Sequence, residues 1–134
     1  MSDGYYRINI INDIEIEIHA RDIKKIFELL TECFLKLLVE SSYPEKTIRE
    51  VNLEFDSVEY LFVDYFNELI YLFDRDGFVP VRIDFSMLNN LFSAKLYGFL
   101  VKNEPVKRIL KSATYHELEF KKNGGYYLKM IVDI

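Results

Sequence analysis

The residues with the clearest potential for chemistry lie at the end of the chain. Asp133 is followed by Ile134, so a carboxylate side chain and the α-carboxylate are covalent neighbours. Residues 126–132 have the composition of a β-strand, and a strand paired up to its end would hold both anions in place. Neighbouring oxygen ligands favour hard cations such as Ca²⁺, Mg²⁺ or Mn²⁺. The residues alone leave a second interpretation open, a solvated acid beside an ordinary chain end.

Lys111 and the two histidines are the other candidates for chemistry. Lys111 lies near the open end of a predicted hairpin, where it could contact a phosphate or a carboxylate; an exposed strand lysine paired with a neighbour is the alternative. A structural, hydrogen-bonded role is favoured for His116, which lies beside a tyrosine on a predicted strand, and for His19. No Ser-His-Asp or Cys-His set can be assembled, and Gly124-Gly125 lacks the strand-loop-helix setting of a phosphate-binding loop.

A hairpin must position the chain end. Residues 106–120 alternate between two faces, and this period of two predicts a single strand. One face of this strand is expected to carry Leu110, Ser112, Thr114, His116, Leu118 and Phe120. The other face is expected to carry Ile109, Lys111, Ala113, Tyr115, Glu117 and Glu119. Residues 121–125 tolerate positive φ, so the chain is expected to reverse there.

The remaining elements follow from the spacing of apolar residues. Alternation predicts one extended segment at 5–19 and strands at 47–55, 79–85 and 91–100. Apolar stripes predict one helix from 23 to about 39, N-capped by Asp22, and a second over about 57–73, N-capped by Asp56. The second helix is apolar around most of its circumference and is expected to be central and buried.

The polar residues of the second helix gather on one side. Asp64, Asn67, Glu68 and Tyr71 follow one another at i, i+3, i+4 and i+7. Such a stripe is either a partner surface or the solvated side of a helix, and the solvated side is the plainer interpretation.

These elements predict a single α+β domain over residues 1–134. The expected order is β-α-β-α-β-β-β-β, with two helices packed on one or more largely antiparallel sheets. A composition of 50% hydrophobic and 29% charged residues is ordinary for a globular domain of 134 residues.

Charge and cysteine content exclude several classes of protein. The net charge is −5, whereas a protein that binds nucleic acid directly usually has a basic face, so no such binding is expected. Cys33 is the one cysteine, which excludes a disulfide framework and predicts a small core residue. No apolar run reaches the roughly 18 residues of a membrane span, and Met1-Ser2-Asp3-Gly4 does not begin a signal peptide. A cytoplasmic protein without membrane association is therefore expected.

Three motifs resemble the archease family. They are Asp-Tyr-Phe-Asn-Glu-Leu-Ile-Tyr-Leu-Phe-Asp at 64–74, Lys-Ser-Ala-Thr-Tyr-His at 111–116 and the terminal Asp-Ile. The resemblance runs over nearly the whole chain and is weaker in the first strand and between residues 79 and 106. Two family patterns are altered, since His-Thr-Ala-Asp reads Ile10-Ile11-Asn12-Asp13 and His-Glu-Pro reads Asn103-Glu104-Pro105. The chain is thus identified as a divergent member with an archease-like fold.

The resemblance implies a divalent hard-cation site formed by Asp13, Asp133 and the carboxylate of Ile134. Anions close together repel one another unless a cation neutralises them. Three protein ligands are fewer than the about six to eight that Ca²⁺ takes, so water or a partner's group would supply the rest. Contacts with a partner or a phosphate are expected at Lys111, His116, Asp64 and Glu68.

The resemblance also implies an accessory protein rather than an enzyme. Archeases promote guanylylation and multiple turnover of the GTP-dependent RNA ligase of tRNA splicing and RNA repair, so this ligase is the expected partner. Two alternatives stay open: a metal-dependent phosphodiester hydrolase that uses the same carboxylates, and a chaperone-like protein-binding module. The sequence leaves the oligomeric state open.

Overall fold

The computed structural model describes residues 3–134. Met1 and Ser2, which belong to the four residues predicted not to begin a signal peptide, lie outside the described residues. The strands are β1 (Gly4–Ile10), β2 (Ile14–Ala20), β3 (Thr47–Glu54), β4 (Phe78–Leu88), β5 (Leu91–Leu100), β6 (Ser112–Lys122) and β7 (Tyr126–Asp133). The helices are α1 (Ile23–Leu38) and α2 (Val58–Asp76).

The strands form two antiparallel sheets, with the orders β1-β2-β7-β6 and β3-β5-β4. Two helices packed on antiparallel sheets confirm the predicted α+β class. Residues 5–19 differ from the single extended segment expected, because they belong to the two strands β1 and β2. The N–H of Ile11 donates a hydrogen bond to the carbonyl of Asp13 at 3.1 Å. Asn12 and Asp13 are residue types that favour turns, so the chain reverses at this point.

Both helices contribute to one apolar core. As predicted, α1 begins after Asp22, whose carboxylate accepts a hydrogen bond from the N–H of Lys25 at 2.8 Å. Cys33 is buried in this core, also as predicted. The hydroxyls of Thr31 and Tyr65 lie 2.6 Å apart inside it, so both buried polar atoms have a partner. In the described part of the chain neither helix is long and apolar enough to cross a membrane.

The ends of α2 differ from the predicted ones. Ser57, in extended conformation, is the N-cap rather than Asp56, and its hydroxyl accepts a hydrogen bond from the N–H of Tyr60 at 3.3 Å. The helix continues past residue 73 and ends where Gly77 adopts the left-handed conformation that glycine tolerates best.

Residues 106–111 do not form the predicted start of a strand, since β6 begins at Ser112. This segment instead completes the end of α1. The N–H of Lys107 donates to the carbonyl of Leu38 at 2.8 Å, and the guanidinium of Arg108 donates to the carbonyl of Leu37 at 2.5 Å. The last carbonyls of a helix lack partners within it, and this contact overrides the local alternation.

The predicted single alternation of β6 is also wrong, because a β-bulge interrupts its pairing with β7 between Thr114 and Glu119. Glu117 within the bulge has a φ of 53°. Ala113 and Phe120 both contact the core although they are an odd number of positions apart, which would place them on opposite faces of a regular strand. The bulge therefore exchanges the two faces of the strand.

The hairpin of β4 and β5 is tighter than expected. The strands extend to Leu88 and from Leu91, which leaves a two-residue turn at Asn89 and Asn90 instead of a loop over 86–90. Asn89 has a φ of 51°, a conformation that asparagine tolerates better than most residues.

The polar side of α2 covers the edge strand β6. The side-chain amide of Asn67 donates to the carbonyl of Ala113 at 3.0 Å, and its oxygen accepts from the N–H of Ala113 at 2.7 Å. The amide thus takes the place of a neighbouring strand for one residue and protects an edge that would otherwise be open to pairing. The interpretation of this stripe as merely solvated is wrong for Asn67.

Replacement of Asn67 tests this contact. Asn67→Ala is expected to lower the free energy of unfolding by about 1–3 kcal/mol, because two backbone groups lose their partner. The amide proton of Ala113 should also exchange faster with solvent. Urea denaturation and hydrogen exchange measure the two effects. The control is Asp74→Ala, an exposed residue on the same helix, which should change stability by less than about 0.5 kcal/mol. Equal stability of the two variants would contradict the role given to Asn67.

Candidate functional site

Asp13 and Asp133 stand at the same end of the four-stranded sheet. In the antiparallel register of β2 and β7 the last pair at this end is Ile14 and Val132. Asp13 is the turn residue directly before this pair, and Asp133 is the strand residue directly after it. Opposite residues of antiparallel strands have Cα atoms about 4.5–5.5 Å apart. The pairing of Ile14 with Val132 therefore brings the two aspartates to the same end of the sheet.

The chain end is also held from its other side. Ser112 of β6 is opposite Asp133, and the N–H of Lys111 donates to the carbonyl of Asp133 at 2.9 Å. Asp13 and Lys111 are exposed, Asp133 is half-buried, and Ile134 is 37% exposed. This end of the sheet, here called the carboxylate end (Asp13, Lys111, Asp133 and Ile134), is open to solvent, and its residue Asp133 is held by backbone pairing.

The three carboxylates of the carboxylate end have only oxygen donors, which suits a hard divalent cation. Nowhere in residues 3–134 do three or more His, Cys, Asp or Glu side chains group so that they could hold a metal ion. Two of the three predicted ligands, Asp13 and Asp133, are side chains, and the third is a main-chain group, the α-carboxylate of Ile134. Such a set is compatible with a cation whose remaining positions are filled by water or by a partner.

The surroundings of the carboxylate end are partly apolar. Ile10 and Ile11 stand where the resembling family has histidine and threonine, and their side chains are 44% and 78% exposed. Asn103, the position of the second altered histidine, is exposed in the segment between β5 and β6. Exposed isoleucines close to Asp13 suit contact with a protein surface better than hydration alone.

The other predicted contact residues lie along α2 and the bulge of β6. The carboxylate of Asp64 accepts a hydrogen bond from the hydroxyl of Tyr115. Glu68 is half-buried and lines a shallow depression with Leu53 and Tyr71. His116 is on the surface, with a side chain that is 75% exposed and an Nε2 atom 3.1 Å from the carboxylate of Glu117. The predicted residues therefore form two groups rather than one.

A cleft of about 700 Å³ lies between the start of α2, the turn of β4 and β5, and the bulge of β6. We call it the tyrosine cleft, lined by Glu54, Phe55, Asp56, Tyr60, Asp64, Asn89, Asn90, Leu91 and Tyr115. The rings of Tyr60 and Tyr115 meet edge to face, with centroids 5.1 Å apart and an interplanar angle of 73°. Sequence reasoning missed this cleft, because its walls come from four separate segments. The one available signal was an exposed tyrosine in the first turn of α2.

The hydrogen bond between Tyr115 and Asp64 changes the acidity of the phenol. Because the hydroxyl donates to an anion, its proton is harder to remove, and the pKa of Tyr115 is raised to about 12. Partial burial and the charge of Asp64 act in the same direction. The phenol is therefore neutral throughout the physiological range, and its ring faces the cleft beside a carboxylate.

The chain is similar to known proteins in both sequence and structure. Residues 5–134 match the Archease protein family (MTH1598/TM1083). The archease of Pyrobaculum neutrophilum is 28% identical over 131 residues, covering 91% of this chain and 89% of that protein. The solution structure of protein 1598 from Methanobacterium thermoautotrophicum is similar over 100% of both chains, with a TM-score of 0.76 and 16% identity. A crystal structure from Thermotoga maritima, described as an archease and possible chaperone, covers 96% of this chain and 95% of that one, with a TM-score of 0.68 and 20% identity. At these identities the two structures establish the fold.

The titration of Tyr115 tests the geometry of the cleft. In Asp64→Asn the pKa of Tyr115 is expected to fall from about 12 toward the ordinary tyrosine value of about 10, because the anionic acceptor is gone. The neutral phenol's contribution to stability is complete below about pH 10 and is lost as the pH rises through about 12. NMR of ¹³C-labelled tyrosine rings, assigned with Tyr115→Phe, measures the pKa. Glu68→Gln is the control and should leave it unchanged; an unchanged value in Asp64→Asn would disprove the contact.

Proposed function

The chain belongs to the archease protein family, and from this premise we propose that it is an accessory protein without catalysis of its own. It promotes guanylylation and multiple turnover of a GTP-dependent RNA ligase in tRNA splicing and RNA repair. The observation that carries the proposal is the register of β2 and β7, with Ile14 opposite Val132, because Asp13 and Asp133 are the next residues at that end of the sheet. Carboxylates at one end of a sheet are suited to presentation to another protein.

In this proposal Asp13, Asp133 and the α-carboxylate of Ile134 hold a divalent hard cation. When bound, such a cation neutralises charge on a triphosphate and its leaving group. The N–H of Lys111 donates to the main-chain carbonyl of Asp133 and holds the backbone from which this ligand projects. The ammonium group of Lys111 is exposed beside the same strand end and would contact a phosphate or a carboxylate of the partner.

The incomplete ligand set is part of the proposed mechanism. Two side-chain carboxylates and one main-chain carboxylate bind a cation only modestly, so a partner that supplies the missing ligands would strengthen the binding. The exposed Ile10 and Ile11 would be covered in the same contact. Cation, partner and accessory protein would thus bind cooperatively, since each completes a surface that the others leave open.

A second candidate is a chaperone-like protein-binding module without a metal. The exposure of Ile10 and Ile11 favours it, because exposed apolar side chains bind apolar segments of other proteins. The relative from Thermotoga maritima is described as a possible chaperone. The two candidates differ in their dependence on the carboxylates and on a cation, so chelation separates them.

Calorimetric titration tests the ligand set. Asp13→Asn, Asp133→Asn and a version with residues appended after Ile134 are each expected to bind Ca²⁺, Mg²⁺ or Mn²⁺ about tenfold or more weakly than the parent chain. Each change removes one anionic ligand, a loss of about 1–3 kcal/mol. Asp74→Asn, an exposed acid on α2, is the matched control and should bind normally. Equal affinity of the extended version would show that the α-carboxylate is not a ligand.

Ligase guanylylation tests the function itself. The initial rate of guanylylation and the number of turnovers of the ligase should both rise when the parent chain is added, and Asp133→Asn should give little of this increase. Asp74→Asn should act like the parent. An unchanged guanylylation rate and an unchanged turnover number in the presence of the parent chain would contradict the proposal. Suppression of aggregation of an unrelated protein, persisting in chelator, would then favour the chaperone-like module.

A further inference from the structure

We propose that the tyrosine cleft binds an arginine side chain displayed by a protein partner. The ionisable residues of its lining besides the tyrosines are Glu54, Asp56 and Asp64, with no lysine, arginine or histidine among them. Within the part of the chain that the structure describes, none of these three carboxylates forms an ion pair. Like charges that line one cleft focus a negative potential, which attracts a cation.

The aromatic walls select the kind of cation. The side chains of Tyr60 and Tyr115 are 53% and 52% exposed, and their rings stand edge to face. The face of a tyrosine ring attracts an ammonium or guanidinium group. Because the hydroxyl of Tyr115 donates a hydrogen bond to the carboxylate of Asp64, the ring and the carboxylate are held side by side. One cation can therefore contact both.

A single metal ion fits this cleft poorly. Among residues 3–134 no three or more acidic, histidine or cysteine side chains lie so that they could hold a metal ion, and this includes the three carboxylates of the cleft. They are spread around a cleft of about 700 Å³ instead. A guanidinium group offers five donors in a plane and can contact several separate acceptors, and it stacks on aromatic rings, whereas an ammonium group is a compact charge. Arginine therefore matches the spread of acceptors better than a metal ion or lysine.

The rim of the cleft indicates a partner that is a protein. Leu91 lines the cleft and Leu88 pairs with it across the β4–β5 hairpin; their side chains are 44% and 73% exposed. Tyrosines and apolar residues around a charged pocket are typical of protein interfaces, in which arginine is enriched. The cleft is distinct from the carboxylate end, since Tyr115 lies three residues further along β6 than Ser112, the partner of Asp133. Binding of an arginine side chain in the tyrosine cleft does not depend on whether the ligase is the partner.

Titration of the ¹⁵N-labelled chain with short blocked peptides tests the proposal by NMR. The probe is Gly-Arg-Gly, and the matched neutral probe is the same peptide with citrulline in place of arginine. The arginine peptide should cause saturable shifts at Tyr60, Asp64, Asn90 and Tyr115, and the citrulline peptide should not. Asp64→Asn and Tyr60→Leu should each weaken binding about fivefold, the effect expected of one exposed ion pair or one cation–π contact.

Matched controls distinguish the cleft from general charge attraction. Glu68→Gln and Tyr71→Leu change an acid and an exposed tyrosine of the same helix that do not line the cleft, and both should leave the affinity unchanged. Equal shifts with the citrulline peptide, equal affinity for a Gly-Lys-Gly peptide, shifts centred on Asp13 and Asp133, or no saturable shift would each overturn the proposal. The measurement needs no metal and no ligase, so its failure would leave the proposed function standing, and the reverse also holds.

Discussion

The pairing of β7 with β2 is the constraint on which the arrangement of this protein depends. β7 lies between β2 and β6, so the last strand of the chain is an interior strand of its sheet. Leu128, Met130 and Val132 of this strand are fully buried. A slip of one residue would move all three to the solvent face, so the packing of the core sets the register. The same register brings Asp13 and Asp133 to one end of the sheet, so the position of the carboxylate end follows from core packing.

The edge strand β6 carries the second organising contact. α2 covers this edge through the amide of Asn67, and the bulge further along exchanges the faces of the strand. The bulge directs Tyr115 toward Asp64 of the helix, although a regular strand would have continued the pairing with β7. Edge protection and the shape of the tyrosine cleft thus arise from one packing of helix against strand, and the chain uses its least regular strand to form a surface.

The two surfaces differ in chemistry in a way that suits an accessory protein. At the carboxylate end two acids stand at one end of a sheet, where we propose a hard cation, whereas in the tyrosine cleft three acids and two tyrosines line one cavity. The cation proposed for the first surface would need further ligands, and the acids of the second form no ion pair within the described residues. A net charge of −5 favours association with a partner that carries positive charge.

The sequence by itself determined the α+β class, the two helices, the cap of α1 at Asp22, the reversal after β6 and the family resemblance. These features depend on residues close together in the chain, through periodicity, capping and turn preference. Tertiary structure alone decided the bulge of β6, the use of Lys107 and Arg108 at the end of α1, and the contact of Asn67 with Ala113. The last joins residues 46 positions apart, and the spacing along the sequence cannot reveal a partner that only the packing of helix on sheet brings near. Tyr60 and Tyr115 meet for the same reason, because each is locally an ordinary exposed tyrosine until the edge of one sheet is placed against α2.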